Sequence, residues 1–104
     1  MDAFAALADP TRRRIVELLG RGERAAGAIV DEFDVSAPAI SQHLKALRDA
    51  GLVEVRADGQ RRIYALDLAG LDEIEAWLGR VRRFWAGRLA ALERALRKPT
   101  RRKR

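Results

Sequence analysis

Residues 35–55 read VSAPAISQHLKALRDAGLVEV, and this stretch decides the fold that the sequence predicts. Ser36 is a residue type that caps helices, and Pro38 fits the first turn because the amide there has no helical partner. The apolar residues that follow recur at steps of four and three: Ile40, Leu44 and Leu47. Gly51 then ends the segment, since glycine is favoured just past a helix. We therefore predict a helix with one buried side and one polar side.

A weaker helical segment precedes this stretch, from about residue 25 to residue 33. Ile29 and Phe33, four residues apart, supply its apolar contacts. Residues 34–36 form a short connector between the two segments. Two helices joined by a turn of this length make a helix-turn-helix, which we place at about residues 25–50.

The flanking segments complete the expected fold. Upstream, Asp9 as an N-cap and Pro10 at the first helical position predict a helix that ends near Gly20. Downstream, apolar and charged residues alternate over residues 52–67, and Asp58-Gly59 is a strong hairpin signal. We predict a mainly α fold with a two-stranded β-wing there.

A long helix is predicted for residues 69–98, stopped by Pro99, because apolar residues recur there at steps of three and four. Such a helix is roughly 42 Å long, more than the small preceding body can cover. Part of its apolar side is therefore expected to meet another chain. We take residues 1–98 as one domain and residues 99–104 as a basic, disordered tail.

Composition narrows the class of protein. The 104 residues suit one domain, and the absence of cysteine excludes disulfides, thiolate metal sites and cysteine nucleophiles. No apolar run has the length of a membrane span and no export signal is recognised, so we expect a cytoplasmic protein that does not enter membranes. With one histidine and no nucleophile–base pair, the sequence offers no catalytic site, and we expect no enzyme.

The net charge of +6 is concentrated at the end of the chain. Six basic residues and no acid occupy residues 97–104, so residues 1–96 carry 15 basic and 15 acidic residues. Whether the tail contacts phosphates or is only solvated stays open. Within residues 35–66, however, five basic residues outnumber three acids, so positive charge favours the helix-turn-helix and wing.

The polar side of the helix that follows Ser36 suits the major groove of duplex DNA. Small residues allow close approach, Ser41, Gln42 and His43 can bond to base edges, and Lys45 and Arg48 lie nearer to phosphates. The wing adds further polar and basic candidates for DNA contact: Arg56, Gln60, Arg61 and Arg62. Recognition helices of a dimer about 34 Å apart, one duplex turn, would require a palindromic site.

These segments resemble a known family. FAALADPTRRRIVELL at residues 4–19, the stretch at 35–55 and RRIYAL at 61–66 are similar to the ArsR-type winged-helix repressors. The resemblance implies a winged helix-turn-helix that dimerises through its first and last helices and binds inverted repeats. It places these residues at DNA-reading positions: Ser36, Ala37, Pro38, Ala39, Ser41, Gln42 and His43. The dimer interface that it implies, together with the apolar stripe, comprises Phe4, Leu7, Leu71, Ile74, Trp77, Leu78, Val81, Phe84, Trp85, Leu89 and Leu92.

The sequence departs from that family's metal sensors. AAGAIVDEF at residues 25–33 has no cysteine, and the last helix has acids but no histidine, so we expect no metal and no cofactor. The only histidine, His43, is expected to be a surface or DNA-facing side chain. The aromatic residues Trp77, Phe84 and Trp85 fit an interface, or else a small-molecule pocket within it, and any inducer stays unknown. The alternative function is a winged-helix module that binds another protein without specific DNA readout.

Overall fold

The computed structural model describes residues 2–101, with side chains for residues 2–97. Within this range the elements in chain order are α1 (Ala3–Ala6), α2 (Pro10–Leu19), β1 (Arg24–Ala25), α3 (Ala26–Asp31), α4 (Ala37–Asp49), β2 (Val53–Asp58), β3 (Arg61–Leu66) and α5 (Leu68–Arg101). The chain forms two compact units, the first ending at Ile74 and the second beginning at Glu75. No helix among the described residues is long and apolar enough to cross a bilayer.

The helix α2 begins where the sequence predicts. Oδ1 of Asp9 accepts hydrogen bonds from the backbone amides of Thr11 at 2.8 Å and Arg12 at 3.1 Å. The bond from the Arg12 amide is the largest cause that holds the pKa of the Asp9 carboxyl below its ordinary value, because it stabilises the charged form. Pro10 occupies the first helical position and Gly20 follows the last, as expected.

The helix predicted for residues 25–33 is shorter than expected. It spans Ala26–Asp31, and its N-cap residue, Ala25, makes no side-chain hydrogen bond. Arg24 and Ala25 instead pair with β3 as a two-residue strand. A strand this short has no periodicity that a sequence pattern could reveal.

The strands form one antiparallel sheet in the order β1-β3-β2. The two-stranded wing predicted for residues 52–67 is present as β2 and β3, and β1 adds a third strand at the other edge of β3. Asp58 lies opposite Arg61, so the loop is Gly59-Gln60, one residue later than the Asp58-Gly59 pair that indicated it. Gly59 has φ 64°, whereas Gln60, like every described residue other than glycine, does not have positive φ. Positive φ at only the first of the two loop residues is the pattern of a type II′ turn.

The hydrophobic core of the first unit fixes the orientation of α4. Its largest fully buried side chains are Ile15, Ile29, Ile40, Leu44, Leu47, Leu52 and Val53. Ile40, Leu44 and Leu47, predicted to form the buried side of α4, are at most 2% exposed. The opposite side of α4 is therefore held towards solvent.

The beginning of α5 lies against the end of α4. The amide of Gly70 donates to the carbonyl of Gly51 at 3.1 Å, and the amide of Asp67 donates to the carbonyl of Leu52 at 2.9 Å. A methyl group at Gly70 would overlap the Gly51 carbonyl. Gly51 itself has φ 78°, a conformation that favours glycine. Two glycines thus permit this close approach.

The end of α5 lies three residues beyond the predicted one. The helix continues to Arg101, so Pro99 does not end it as the sequence predicted. Residues 102–104 of the predicted basic tail lie outside the described residues.

Candidate nucleic-acid interface

Small residues surround the beginning of α4. Ser36 has extended dihedral angles, and its Oγ accepts a hydrogen bond from the amide of Ala39 at 3.2 Å. Ala37 and Pro38 are exposed and Ala39 is half-buried, so no bulky side chain shields the helix end. Amide groups at a helix N-terminus attract phosphates. This end of α4 can therefore approach a DNA backbone closely.

The exposed polar side chains of α4 are Ser41, Gln42, Lys45, Arg48 and, at its end, Asp49. The amide group of Gln42 can form two hydrogen bonds with the edge of an adenine in the major groove, and the hydroxyl of Ser41 can bond to several bases. Lys45 and Arg48 carry the positive charge that phosphates attract. The side of α4 that the core leaves free therefore has groups for both bases and backbone.

A groove of about 310 Å³ separates α4 from β3. It is lined by Ser41, Gln42, Lys45, Arg48, Arg62 and Tyr64. Tyr64 is 6% exposed and belongs to the core, whereas Arg62 is exposed. The structure thus brings four predicted residues of the helix together with one predicted residue of the wing.

The arginines predicted on the wing lie on two faces of the sheet. Because side chains alternate along a strand, Arg62 shares one face with Tyr64, and Arg61 shares the other face with Ile63. Arg56 pairs with Ile63 in the register and therefore lies on the face away from α4. Of the three wing arginines, only Arg62 lines the groove with α4.

A bidentate ion pair holds Arg56 against Glu23. Nη1 of Arg56 lies 2.6 Å from Oε2 of Glu23, and Nη2 lies 2.8 Å from Oε1. These hydrogen bonds lower the pKa of Glu23 and raise the pKa of Arg56, since each partner stabilises the other's charged form. The pair is exposed to solvent and adds little stability. Arg56 can contact a phosphate only in competition with this carboxylate.

Two other predicted phosphate contacts have weaker acidic partners. Nζ of Lys45 lies 3.0 Å from Oδ2 of Asp49, and Nη2 of Arg61 lies 3.5 Å from Oδ2 of Asp58. Lys45 and Asp49 are one helical turn apart, and Asp58 and Arg61 flank the hairpin loop. All four side chains are more than half exposed. Exposed pairs of this kind are worth roughly 0–1 kcal/mol, so both cations can exchange partners readily.

The side chain of His43 does not line the groove. It is half-buried, and its Nδ1 lies 3.3 Å from Nη1 of Arg12 in α2. Nε of the same arginine donates to the carbonyl of Ala6 at 2.6 Å. The side chain of His43 therefore faces α2. The sequence predicted a surface or DNA-facing position for His43 and did not predict this contact with Arg12.

The residues predicted for a dimer interface form two groups. In the first unit, Leu7, Leu71 and Ile74 are half-buried and pack against the core, while Phe4 is 40% exposed. In the second unit Val81 is half-buried, and the exposed members are Trp77, Leu78, Phe84, Trp85, Leu89 and Leu92. A long exposed row of large apolar side chains marks an interaction surface.

The comparisons with known proteins agree with this geometry. A family model described as a helix-turn-helix domain matches residues 7–56. The HTH-type transcriptional regulator Rv2034 of Mycobacterium tuberculosis is 49% identical over 83 residues, which cover 80% of this chain and 75% of the relative. A solved ArsR family transcriptional regulator is 32% identical with a TM-score of 0.73, covering 81% of this chain and 87% of that one. The chain belongs to the ArsR family.

A further match to this ArsR-family chain is the homodimeric winged helix-turn-helix DNA-binding domain of a Mycobacterium bovis protein. It is 33% identical with a TM-score of 0.64, covering 78% of this chain and 75% of that one. Other relatives are named as repressors. The predicted family and the mainly helical winged fold are confirmed. The ArsR-family chain is a DNA-binding transcriptional regulator and not an enzyme.

Metal ligands do not assemble in the part of this ArsR-family regulator that the structure describes. No three side chains of His, Asp or Glu come together there as ligands would. The whole sequence has no cysteine, which removes the thiolate ligands as well.

Three residues near the interface of the ArsR-family regulator were not predicted from its sequence: Arg12, Glu23 and Tyr64. Tyr64 follows Arg62 by two residues in a strand, and this alternation could have placed both on one face. Arg12 and Glu23 meet partners 31 and 33 residues away, and no local pattern links positions so far apart.

Proposed function

We propose that this ArsR-family chain represses transcription by binding an inverted-repeat operator as a homodimer. In the proposed complex α4 of each protomer enters a major groove, with the two copies about 34 Å apart, one turn of the duplex. The observation that carries this proposal is the convergence of the polar side of α4 with Arg62 of the wing in one exposed groove. The protein acts where the chromosome lies, in the cytoplasm.

The residues of the groove have different roles in this proposal. Ser41 and Gln42 read base edges, because their side chains offer hydrogen bonds that distinguish bases. Lys45, Arg48 and Arg62 contact phosphates and set the position of the helix. The amide of Ala37, in the first turn of α4, binds a further phosphate, and residues 60 and 61 at the wing tip are peripheral.

The proposed dimer uses the exposed apolar side of α5. Leu89 and Leu92 are 56% and 54% exposed, and burying the exposed half of each side chain against a second copy is favourable by roughly 1–1.5 kcal/mol. The homodimeric Mycobacterium bovis domain shares this fold. A second copy is therefore the proposed occupant of this surface.

The oligomeric state tests that part of the proposal. Sedimentation of purified protein is expected to give a dimer, and Leu89→Gln is expected to shift it towards monomer. Ala76→Gln is the matched control, because Ala76 lies on the polar side of the same helix. Dimerisation that survives Leu89→Gln and further substitutions at Leu92 and Trp85 would exclude this surface.

Selection of bound duplexes from a random pool tests the function. The expected product is an enriched inverted repeat whose half-sites are one helical turn apart. Added zinc is expected to leave binding unchanged, since we propose no metal site. A dimer that binds no duplex even at low salt would favour the alternative of a protein-interaction module.

A further inference from the structure

The charge of the chain is divided unequally between its two compact units. Residues 1–74 contain 10 basic and 13 acidic residues, a net charge of −3, although they include the groove between α4 and β3. Residues 75–104 contain 11 basic and 2 acidic residues, a net charge of +9. The net charge of +6 therefore arises entirely in the second unit.

Four arginines of the second unit lie on the side of α5 opposite to its apolar residues: Arg80, Arg83, Arg94 and Arg97. With 3.6 residues per turn, the steps of 3 and 11 residues between them return to nearly the same side. All four are exposed, and none forms an ion pair within the described residues. The only acids of this unit are Glu75 and Glu93. We name these four arginines the arginine row.

We propose that the arginine row is a second surface for duplex DNA, contacting phosphates without reading sequence. The inference rests on the proposed function and adds a partner surface to it. A protein that neutralises DNA phosphates releases the bound counterions, so the salt dependence of its affinity increases with the number of phosphates that it contacts. The first unit supplies individual cations but a negative net charge, so the second unit supplies the long-range attraction.

The spacing of the arginine row fits an extended polyanion. From Arg80 to Arg97 the helix rises about 26 Å, a length over which a duplex presents many phosphates. Guanidinium groups match phosphate oxygens in paired hydrogen bonds. An anionic membrane surface also attracts basic helices, but it requires the apolar side of the helix, which the proposed dimer covers.

The salt dependence of DNA binding measures these contacts. Affinity of the wild-type dimer for a selected duplex and for a scrambled duplex is measured by anisotropy between about 50 and 200 mM KCl. The slope of log K against log salt is negative. It is expected to become less steep by about 0.9 per lost contact, at most about 3.6, in the variant that combines Arg80→Gln, Arg83→Gln, Arg94→Gln and Arg97→Gln. The ratio of affinities for the two duplexes is expected to stay unchanged, because phosphate contacts carry no sequence information.

Two controls separate contact from other effects. Replacing the same four residues by lysine keeps the charge and is expected to keep the slope. Arg21→Gln removes an exposed charge from the first unit and is expected to leave the slope unchanged. If the quadruple glutamine variant loses helix content or the dimer, single variants such as Arg83→Gln are expected to lower the slope by about 0.9 each.

A slope reduced by less than about 0.9 in the folded quadruple variant overturns the inference. So does an unchanged DNA slope with loss of binding to phosphatidylglycerol vesicles, which would assign the arginine row to a membrane surface. Failure of the proposed function looks different: the wild type would show no preference for any duplex, whatever the arginine row does to the slope.

Discussion

Nη1 of Arg12 lies 3.3 Å from Nδ1 of His43, so a side chain of α2 reaches α4. The same guanidinium donates through Nε to the carbonyl of Ala6 at 2.6 Å. One half-buried arginine thus joins α1 to the helix that we propose reads DNA. His43 accepts from Arg12 only as a neutral ring with its proton on Nε2, since a protonated Nδ1 has no free lone pair.

Arg12→Met is expected to loosen α1 while keeping most of the apolar stem. The lost hydrogen bonds should lower the free energy of unfolding by about 1–3 kcal/mol, as for other bonds to charged groups. Amide exchange at Ala6 and Leu7 should quicken more than exchange in α4. Arg21→Met, at an exposed position, is the control and should change stability by less than about 0.5 kcal/mol. Unaltered exchange in α1 would show that the bridge holds nothing in place.

Gln42→Ala and Arg62→Ala are expected to have different effects on DNA binding. Loss of the Gln42 amide should reduce discrimination between selected and scrambled duplexes by about 1–3 kcal/mol, because base contacts carry specificity. Loss of Arg62 should weaken both duplexes alike and lower the salt slope by about 0.9. Anisotropy titrations at several salt concentrations separate the two. Equal losses of discrimination in both variants would contradict base readout by α4.

The ion pair of Glu23 and Arg56 predicts a pH dependence. The folded pKa of Glu23 is lowered from 4.5, so its contribution to stability is present above about pH 4.5 and is lost as the pH falls through the lower folded pKa. The stability difference between wild type and Glu23→Gln should therefore shrink in that acidic range. Carbon NMR of the carboxyl should show the lowered pKa in wild type and its return towards 4.5 in Arg56→Gln. If the pKa of Glu23 is the same in wild type and in Arg56→Gln, the two side chains are not paired.

Substitutions at Ser36 should separate the capping of α4 from the approach of DNA. Ser36→Ala removes the acceptor for the Ala39 amide and should cost about 1 kcal/mol of stability. Ser36→Asp keeps a cap and should leave stability within about 0.5 kcal/mol, but its negative charge faces the proposed phosphate. DNA affinity should therefore fall in Ser36→Asp, as measured by anisotropy beside urea unfolding. Undiminished affinity in this variant would place the duplex away from the start of α4.

Gly70→Ala should destabilise the first unit, because the added methyl overlaps the carbonyl of Gly51. Overpacking of this kind costs about 1–3 kcal/mol. Gly87→Ala is the matched control, since nothing lies within 4 Å of its added methyl. That change should stabilise the helix by about 1 kcal/mol. Thermal unfolding should therefore show a lower midpoint for Gly70→Ala and a higher midpoint for Gly87→Ala. A harmless Gly70→Ala would contradict the close approach.

Local chemistry explains which parts of the fold were predictable from sequence. Asp9 and Ser36 act within three residues of themselves, and the apolar period of α4 needs only its own 13 residues. The ion pair of Glu23 with Arg56 spans 33 residues and depends on the folded sheet. The strand β1 forms only because its two residues pair with the edge of β3, so no periodic pattern in the sequence predicts it.

The candidate site was predictable to a similar degree. The helical half follows from the period of α4, and Ser41, Gln42, Lys45 and Arg48 lie together as expected. The wing half was predicted as one group of arginines, but alternation along β3 separates Arg61 from Arg62. Composition indicates that a hairpin is basic, whereas its register decides which side each charge occupies.

The two faces of the wing give evolution two independent adjustments, one at Arg62 in β3 and one at Arg56 in β2. A mutation at Arg62 alters the groove and leaves the opposite face intact, whereas one at Arg56 changes how the hairpin is tethered to Glu23 without entering the groove. Divergent paralogues could thus change DNA affinity and hairpin rigidity in separate steps. A single inserted residue in β3 before Arg62 would instead turn Arg62 and every later side chain of the strand to the other face, so this hairpin tolerates substitution far better than insertion.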